Sequence, residues 1–418
     1  MVDLLLAFAV VLLCAAFISG IAHRTIISTA VVFLVAGFLL GDGVLNVVPL
    51  TPGEPIVTTL AELALFSVLF TDGQHVGFRD LRSAWRLPGR ALLLGMPLTF
   101  AVTTGIGMLL LGLSLTDAML IAAVLAPTDP VFASAIVGRP EVPERLRRLL
   151  NVESGSNDGL ALPFVLVLIA LDGGPEVEYG TLVSELGLGV VIGVAVPLAA
   201  VGIQRLERIA PLRRFRLLSP TATYAALIPV AIGLIVLATA QLTGANLYLA
   251  AFSAGITVAT VAPELRDAFQ QFGELATELL KLLAILVFGT LVSPQLLAGL
   301  PLGGYLFAVL SLVIARPVAV IAALTRSRMP WNEKLTAAWF GPKGFASVLY
   351  ALLVLNSGIE NAELLFHIIV ASIVVSIVAH SSTDVPIAAY FARRSPQAGQ
   401  ADGRDVSAAA DDPHRPHL

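Results

Sequence analysis

Cysteine is almost missing from these 418 residues: Cys14 stands alone in an apolar run, which excludes a disulfide framework and a cysteine metal centre. Charge is scarce too, at 13% Asp, Glu, Lys and Arg, about half the share of a soluble domain. No basic stretch precedes the apolar residues 1–19, which begin with Asp3, so they read as a membrane helix and not a cleaved leader. The HExxH zinc pattern is absent, and the histidines at 23, 75, 367 and 380 lack metal spacing. What is there is apolar: 57% hydrophobic residues and a mean hydropathy of +0.89, the composition of an integral membrane protein.

A bilayer-crossing helix needs roughly 20 apolar residues. Thirteen segments qualify, near 2–20, 26–41, 56–74, 89–113, 116–137, 149–171, 180–204, 219–240, 245–262, 272–292, 303–324, 334–356 and 362–391. The remainder, 393–418, reads as a disordered tail rich in Ala, Asp, Pro and Arg. Every Lys and Arg falls in an odd-numbered loop, at a segment end bordering one (Arg90 and Lys334) or in this tail, except Lys281, Arg316 and Lys343, which lie deeper inside segments. Basic loops mark the cytoplasmic side, so the expected topology is thirteen helices with the amino terminus outside and the carboxyl terminus in the cytoplasm.

Ionisable groups at membrane depth are costly and mark functional sites by default. The candidates are Asp72, Asp129, Glu153, Asp158, Lys281, Arg316 and Lys343. Segment 5 contains LAPTDPVFA at 125–133, and segment 12 contains WFGPKGFAS at 339–347. Proline removes a helical hydrogen bond and clashes with the preceding turn, so both helices are expected to be interrupted. Interruptions seven segments apart point to an inverted repeat, helices 1–6 recurring as 8–13, with a substrate site between crossed broken helices. Asp129, Asp158 and Lys343 each lie about 8–9 residues from the basic-loop ends, so they form one layer roughly 12–14 Å deep.

Segment 6 begins NVESGSNDG at 151–159. Residues four apart share a helix face, so Ser154 falls with Asp158 and Glu153 with Asn157. The first face offers hard oxygens suited to an alkali cation, joined by a freed carbonyl near Thr128. Glu153 needs a buried cation, and Lys343 in the same layer is the expected partner. Asp72, in LFTDGQHV at 69–76, either adds a carboxylate to the site or lies in the interfacial loop. Asp129 is either a ligand or the cap of the second half of helix 5. Arg316, before Pro317, reads as structural, pairing with helix-end carbonyls. Lys281 reads as a local partner of Glu278 and Glu274. An intramembrane hydrolase lacks a base matched to Ser154, and a channel does not explain carboxylates on paired broken helices.

These motifs, APTDPV at 126–131, ESGSNDG at 153–159 and GPKG at 341–344, resemble the monovalent cation:proton antiporters of the NhaP-like branch, the sodium/hydrogen exchanger transmembrane domain, over residues 1–392. The resemblance implies secondary transport and not enzymatic catalysis: sodium exchanged for protons by alternating access, or potassium in the alternative reading. Asp158 would be the carboxylate for which proton and cation compete, with Ser154, Thr128 and Asp72 as further ligands of the sodium site. Glu153 would pair with the basic residue of helix 12, commonly Arg in the family and here Lys343. Asn157 beside Asp158 marks the branch expected to exchange one cation for one proton electroneutrally. The resemblance further implies a core domain (helices 4–6 and 11–13), a scaffold domain (helices 1–3 and 8–10), a homodimer and an inner-membrane role in pH homeostasis. No cofactor or nucleic-acid partner is expected.

Overall fold

The computed structural model describes residues 2–22, 29–42, 44–75, 87–129, 134–173, 179–206 and 222–394, and every regular element within them is helical. In chain order these are α1 (Val2–Ala22), α2 (Thr29–Leu40), α3 (Pro55–His75), α4 (Pro88–Leu111), α5a (Leu115–Leu125), α5b (Ser134–Gly138), α6 (Glu144–Leu171) and α7 (Tyr179–Leu206). They continue as α8 (Leu227–Thr243), α9 (Leu247–Val261), α10 (Pro263–Leu291), α11 (Leu302–Leu324), α12a (Trp331–Trp339), α12b (Phe345–Leu355) and α13 (Ala362–Ala392). Short helical turns, Ala222–Ala225 and Pro294–Gly299, precede α8 and α11. Among the described residues, six helices are long and apolar enough to cross a membrane: α3, α4, α6, α7, α11 and α13. Six shorter apolar helices accompany them. Residues 23–28, 76–86, 207–221 and the tail from 395, which carry many of the arginines used for the topology, lie outside the described residues.

α10 differs most from expectation, starting at Pro263, well before residue 272. Its first half is amphipathic: Leu265, Phe269, Gly273 and Thr277 recur every fourth residue and are buried, with Glu264, Asp267 and Gln270 interspersed and exposed. A hydropathy reading sees that mixture as loop. α6 likewise starts at Glu144, directly after Pro143, which suits a helix start but not an interior.

Internal symmetry shows in the packing. α2 crosses α10 at Gly37 and Gly289, and a Cβ on Gly37 would lie well under 3.0 Å from Leu286 O. α3 crosses α9 at Gly73 and Gly255, where a Cβ on Gly255 would collide in the same way with Phe70 O. Small residues let helix backbones touch where lipid offers no hydrophobic drive. Exchanging helix 2 for 9 and helix 3 for 10 carries one crossing onto the other, as an inverted repeat requires. α4 and α11 share a second device: five-residue π-helical turns at Ala91–Gly95 and Ser311–Ala315, each followed after one residue by proline, Pro97 and Pro317. A proline ring collides with the carbonyl of the preceding turn, and widening that turn relieves the collision.

The interrupted helices occupy the middle. α5a is buried from Leu120 to Leu125, and α12b from Phe345 to Leu352. α5a stops at Leu125 with Ala126 still in helical backbone, because Pro127 has no N–H to continue the ladder and its ring collides with the preceding turn. α12a stops at Trp339, and Phe340 turns extended ahead of Gly341 and Pro342.

Candidate ion-binding site

The two non-helical stretches meet: Asp129 N donates to Pro342 O at 2.9 Å. Asp129 Oδ2 accepts from Phe345 N at 3.4 Å, at the start of α12b. The cap expected on helix 5 is therefore made across the crossing, on helix 12. Contact is so close that a Cβ on Gly344 would overlap Asp129 Cβ.

α6 runs beside this crossing and presents Glu153, Ser154, Asn157 and Asp158, all buried. Thr128 Oγ1 shares a hydrogen bond with Ser154 Oγ at 3.1 Å and accepts from Asn157 Nδ2 at 2.8 Å. Asn157 thus braces α6 against the broken segment of helix 5, and it sides with Ser154 rather than with Glu153. Asp158 O accepts from Tyr350 Oη of α12b at 2.8 Å, which fixes the backbone beneath its side chain. Asp158 Oδ1 is buried with no hydrogen-bond partner among the described residues.

Glu153 does not take Lys343 as its hydrogen-bonded partner. Arg316 Nη1 and Nη2 donate to Glu153 Oε1 and Oε2 at 2.8 and 3.2 Å, and Nη2 also donates to Phe340 O at 2.8 Å. Both side chains are 4% exposed. The reason is geometric: a guanidinium grips two carboxylate oxygens and a carbonyl at once, which an ammonium on a flexible stem does not do as rigidly. Arg316 has the helix-end carbonyl expected of it, and Glu153 in addition. Gly341 is what admits it, since a Cβ there would overlap Arg316 Nε. Lys343 sits within electrostatic range of Arg316 and Glu153. Its Nζ is buried without a hydrogen-bond partner among the described residues, while its backbone N–H donates to Ser376 Oγ at 2.8 Å.

Asp72 is half-buried on α3, one residue from Thr71, whose hydroxyl meets Thr277 of α10 at 3.0 Å. That contact brings α3 and α10 together beside the crossing. Lys281 of α10 interacts electrostatically with Asp129, Asp72, Glu278 and Asp158. Its expected partner Glu278 is retained, three aspartates join it, and Glu274 instead accepts from Gln270 Nε2 at 3.0 Å. One lysine facing four carboxylates leaves the cluster negative, which favours a cation.

His380 of α13 carried no expected role. Its ring nitrogens lie 2.7 Å from Ser376 O and 2.9 Å from Trp339 O, the latter freed where α12a ends. The sequence signal was its place at membrane depth opposite a helix end. The side chain of His75 lies outside the described residues.

Residues 9–389 match the sodium/hydrogen exchanger transmembrane family. The chain is 23% identical over 375 residues to the K(+)/H(+) antiporter NhaP2 of Shewanella baltica, and 28% identical over 371 residues to the K(+)/H(+) antiporter NhaP of Alkalimonas amylolytica. Each match covers 88% of this chain and 63% of the relative, so the chain spans under two thirds of the length of these curated relatives. Its fold is similar to that of the sodium proton antiporter MjNhaP1 from Methanocaldococcus jannaschii, with a TM-score of 0.71, 19% identity, and 93% of this chain and 97% of that one covered.

Proposed function

This chain belongs to the sodium/hydrogen exchanger family, and from that premise we propose that it exchanges sodium for protons across a membrane, with both competing for Asp158. The observation that carries this reading is Asp158 Oδ1: a buried carboxylate oxygen without a partner among the described residues, facing a cluster of carboxylates around Lys281. A proton satisfies such an oxygen by bonding to it, and a cation by coordinating it. Ser154 and Thr128 supply hydroxyl oxygens one helix turn and one crossing away, and Asp72 supplies a second carboxylate from α3.

Transport follows from charge. A carboxylate passes through a low-dielectric region neutralised by a proton or a cation, whereas the bare anion is penalised by desolvation. The empty site therefore does not switch sides, and exchange is obligatory. The moving body is the core of helices 4–6 and 11–13, sliding on a scaffold of helices 1–3 and 8–10, in a thirteen-span chain with the amino terminus outside and the arginine-rich end in the cytoplasm. Pairing through scaffold helices gives a homodimer in the inner membrane, serving pH homeostasis. Potassium is the second reading, favoured by the match to two K(+)/H(+) antiporters.

The test is dequenching of a pH dye in everted vesicles on addition of sodium, potassium or lithium. A response to at least one cation that persists when membrane potential is clamped supports exchange. No response to any of them, or one that vanishes under the clamp, refutes it.

A further inference from the structure

At the arginine-rich end of the helices lies a cavity of about 690 Å³ with no part in the exchange chemistry above. Arg90 reaches it from the start of α4, Arg145 from the first turn of α6, and Arg326 and Arg328 from the turn between α11 and α12a. Its wall continues along α4 into Leu93 and Leu94, which are 54% and 50% exposed. On a helix long and apolar enough to span the bilayer, such side chains meet acyl chains.

The arginines are unequal. Arg145 donates from Nε and Nη2 to Glu333 at 2.5 and 2.6 Å, locking α6 to α12a. Arg90, Arg326 and Arg328 have no acidic partner among the described residues. Three guanidiniums around one cavity repel one another. A phosphate relieves this because its oxygens accept forked, charge-assisted hydrogen bonds from several guanidiniums at once. A soluble phosphate and a lipid headgroup share that chemistry, but the leucines select between them: a soluble ion has no use for an apolar wall. Basic pockets between membrane helices near one bilayer face are suited to anionic headgroups.

We propose that this cavity holds an anionic phospholipid, its phosphate on Arg90, Arg326 and Arg328 and an acyl chain along Leu93 and Leu94. The bound lipid joins the end of α4 to the turn that links α11, bearing Arg316, with α12a, which leads into the crossing.

The experiment is thermal unfolding of the full chain in a neutral detergent, titrated separately with dioleoyl phosphatidylglycerol, dioleoyl phosphatidylcholine and inorganic phosphate. Phosphatidylglycerol is expected to raise the midpoint saturably, and the other two are not. At about fivefold per arginine, the R326Q/R328Q variant should bind phosphatidylglycerol about 25-fold more weakly. R393Q/R394Q, which removes two exposed arginines from the carboxyl end of α13, should not change it. Unchanged binding in R326Q/R328Q, an equal loss in R393Q/R394Q, or an equal response to phosphatidylcholine overturns the proposal. A response to inorganic phosphate alone overturns the lipid assignment. Should R326Q/R328Q fail to fold, competition between the two lipids on the unaltered protein, read by native mass spectrometry, decides: preferential retention of phosphatidylglycerol supports the site and equal retention overturns it.

Discussion

Replacing Arg316 by Met removes the buried cation opposite Glu153 at nearly constant volume. Three hydrogen bonds go with it: two to the carboxylate, at 2.8 and 3.2 Å, and one to Phe340 O at 2.8 Å. Both partners are 4% exposed, so water does not reach the stranded carboxylate without opening the fold. Losing one member of a buried pair costs about 3–5 kcal/mol. With unfolding entropy near 2.1 cal/mol/K per residue, a chain of this length should melt roughly 3–6 °C lower. Lys343→Met supplies the contrast, since it removes an ammonium with no hydrogen-bond partner among the described residues and should leave the midpoint unchanged or higher. The assay is tryptophan-fluorescence melting in one detergent for R316M, K343M, E153Q and E153Q/R316M. The double variant should recover most of the loss, because the amide put in place of the Glu153 carboxylate carries no charge to strand. If R316M melts with the unaltered protein, or if the two single losses simply add in the double variant, the pairing is refuted.

Gly341→Ala places a methyl group well under 3.0 Å from Arg316 Nε, so it should displace the guanidinium and lower the melting point nearly as far as R316M; a midpoint indistinguishable from that of the unaltered protein would contradict this. Asp172 caps α6 outside the spanning segments, and its carboxyl is held above the ordinary range by burial, with Asp117 and Glu360 adding to this against an opposing Thr116 hydrogen bond. A raised carboxyl penalises the folded state once it ionises, so stability is regained as pH falls through its folded value. Asp172→Asn should therefore raise the melting point at alkaline pH and lose that advantage on acidification; a gain equal at both ends would exclude the linkage.

The broken helices were legible because the breakers come in pairs, Pro127 with Pro130 and Gly341 with Pro342, whereas the lone Pro163, Pro197 and Pro386 sit inside continuous helices. The partner of Glu153 was also within reach. Arg316 lies about 8 residues from the carboxyl-terminal end of α11, roughly 12 Å along it, which is within the depth expected from the sequence for Asp129, Asp158 and Lys343. Depth alone does not rank Lys343 against Arg316, whereas the fork of a guanidinium and the missing Cβ of Gly341 do. Asp129 capping the opposite helix was illegible for another reason. Sequence places a carboxylate beside its own chain break, and only the crossing brings Phe345 N to it. The early start of α10 stayed hidden because its buried stripe is one residue in four.

Competition at Asp158 is tested most directly in proteoliposomes by cation-driven proton flux, comparing the unaltered protein with Asp158→Asn at matched reconstitution. The amide keeps the shape of the side chain but neither ionises nor releases a proton, so flux should fall to the level of empty liposomes while the protein remains folded by melting. Exchange retained by a folded Asp158→Asn protein would contradict the role given to this carboxylate.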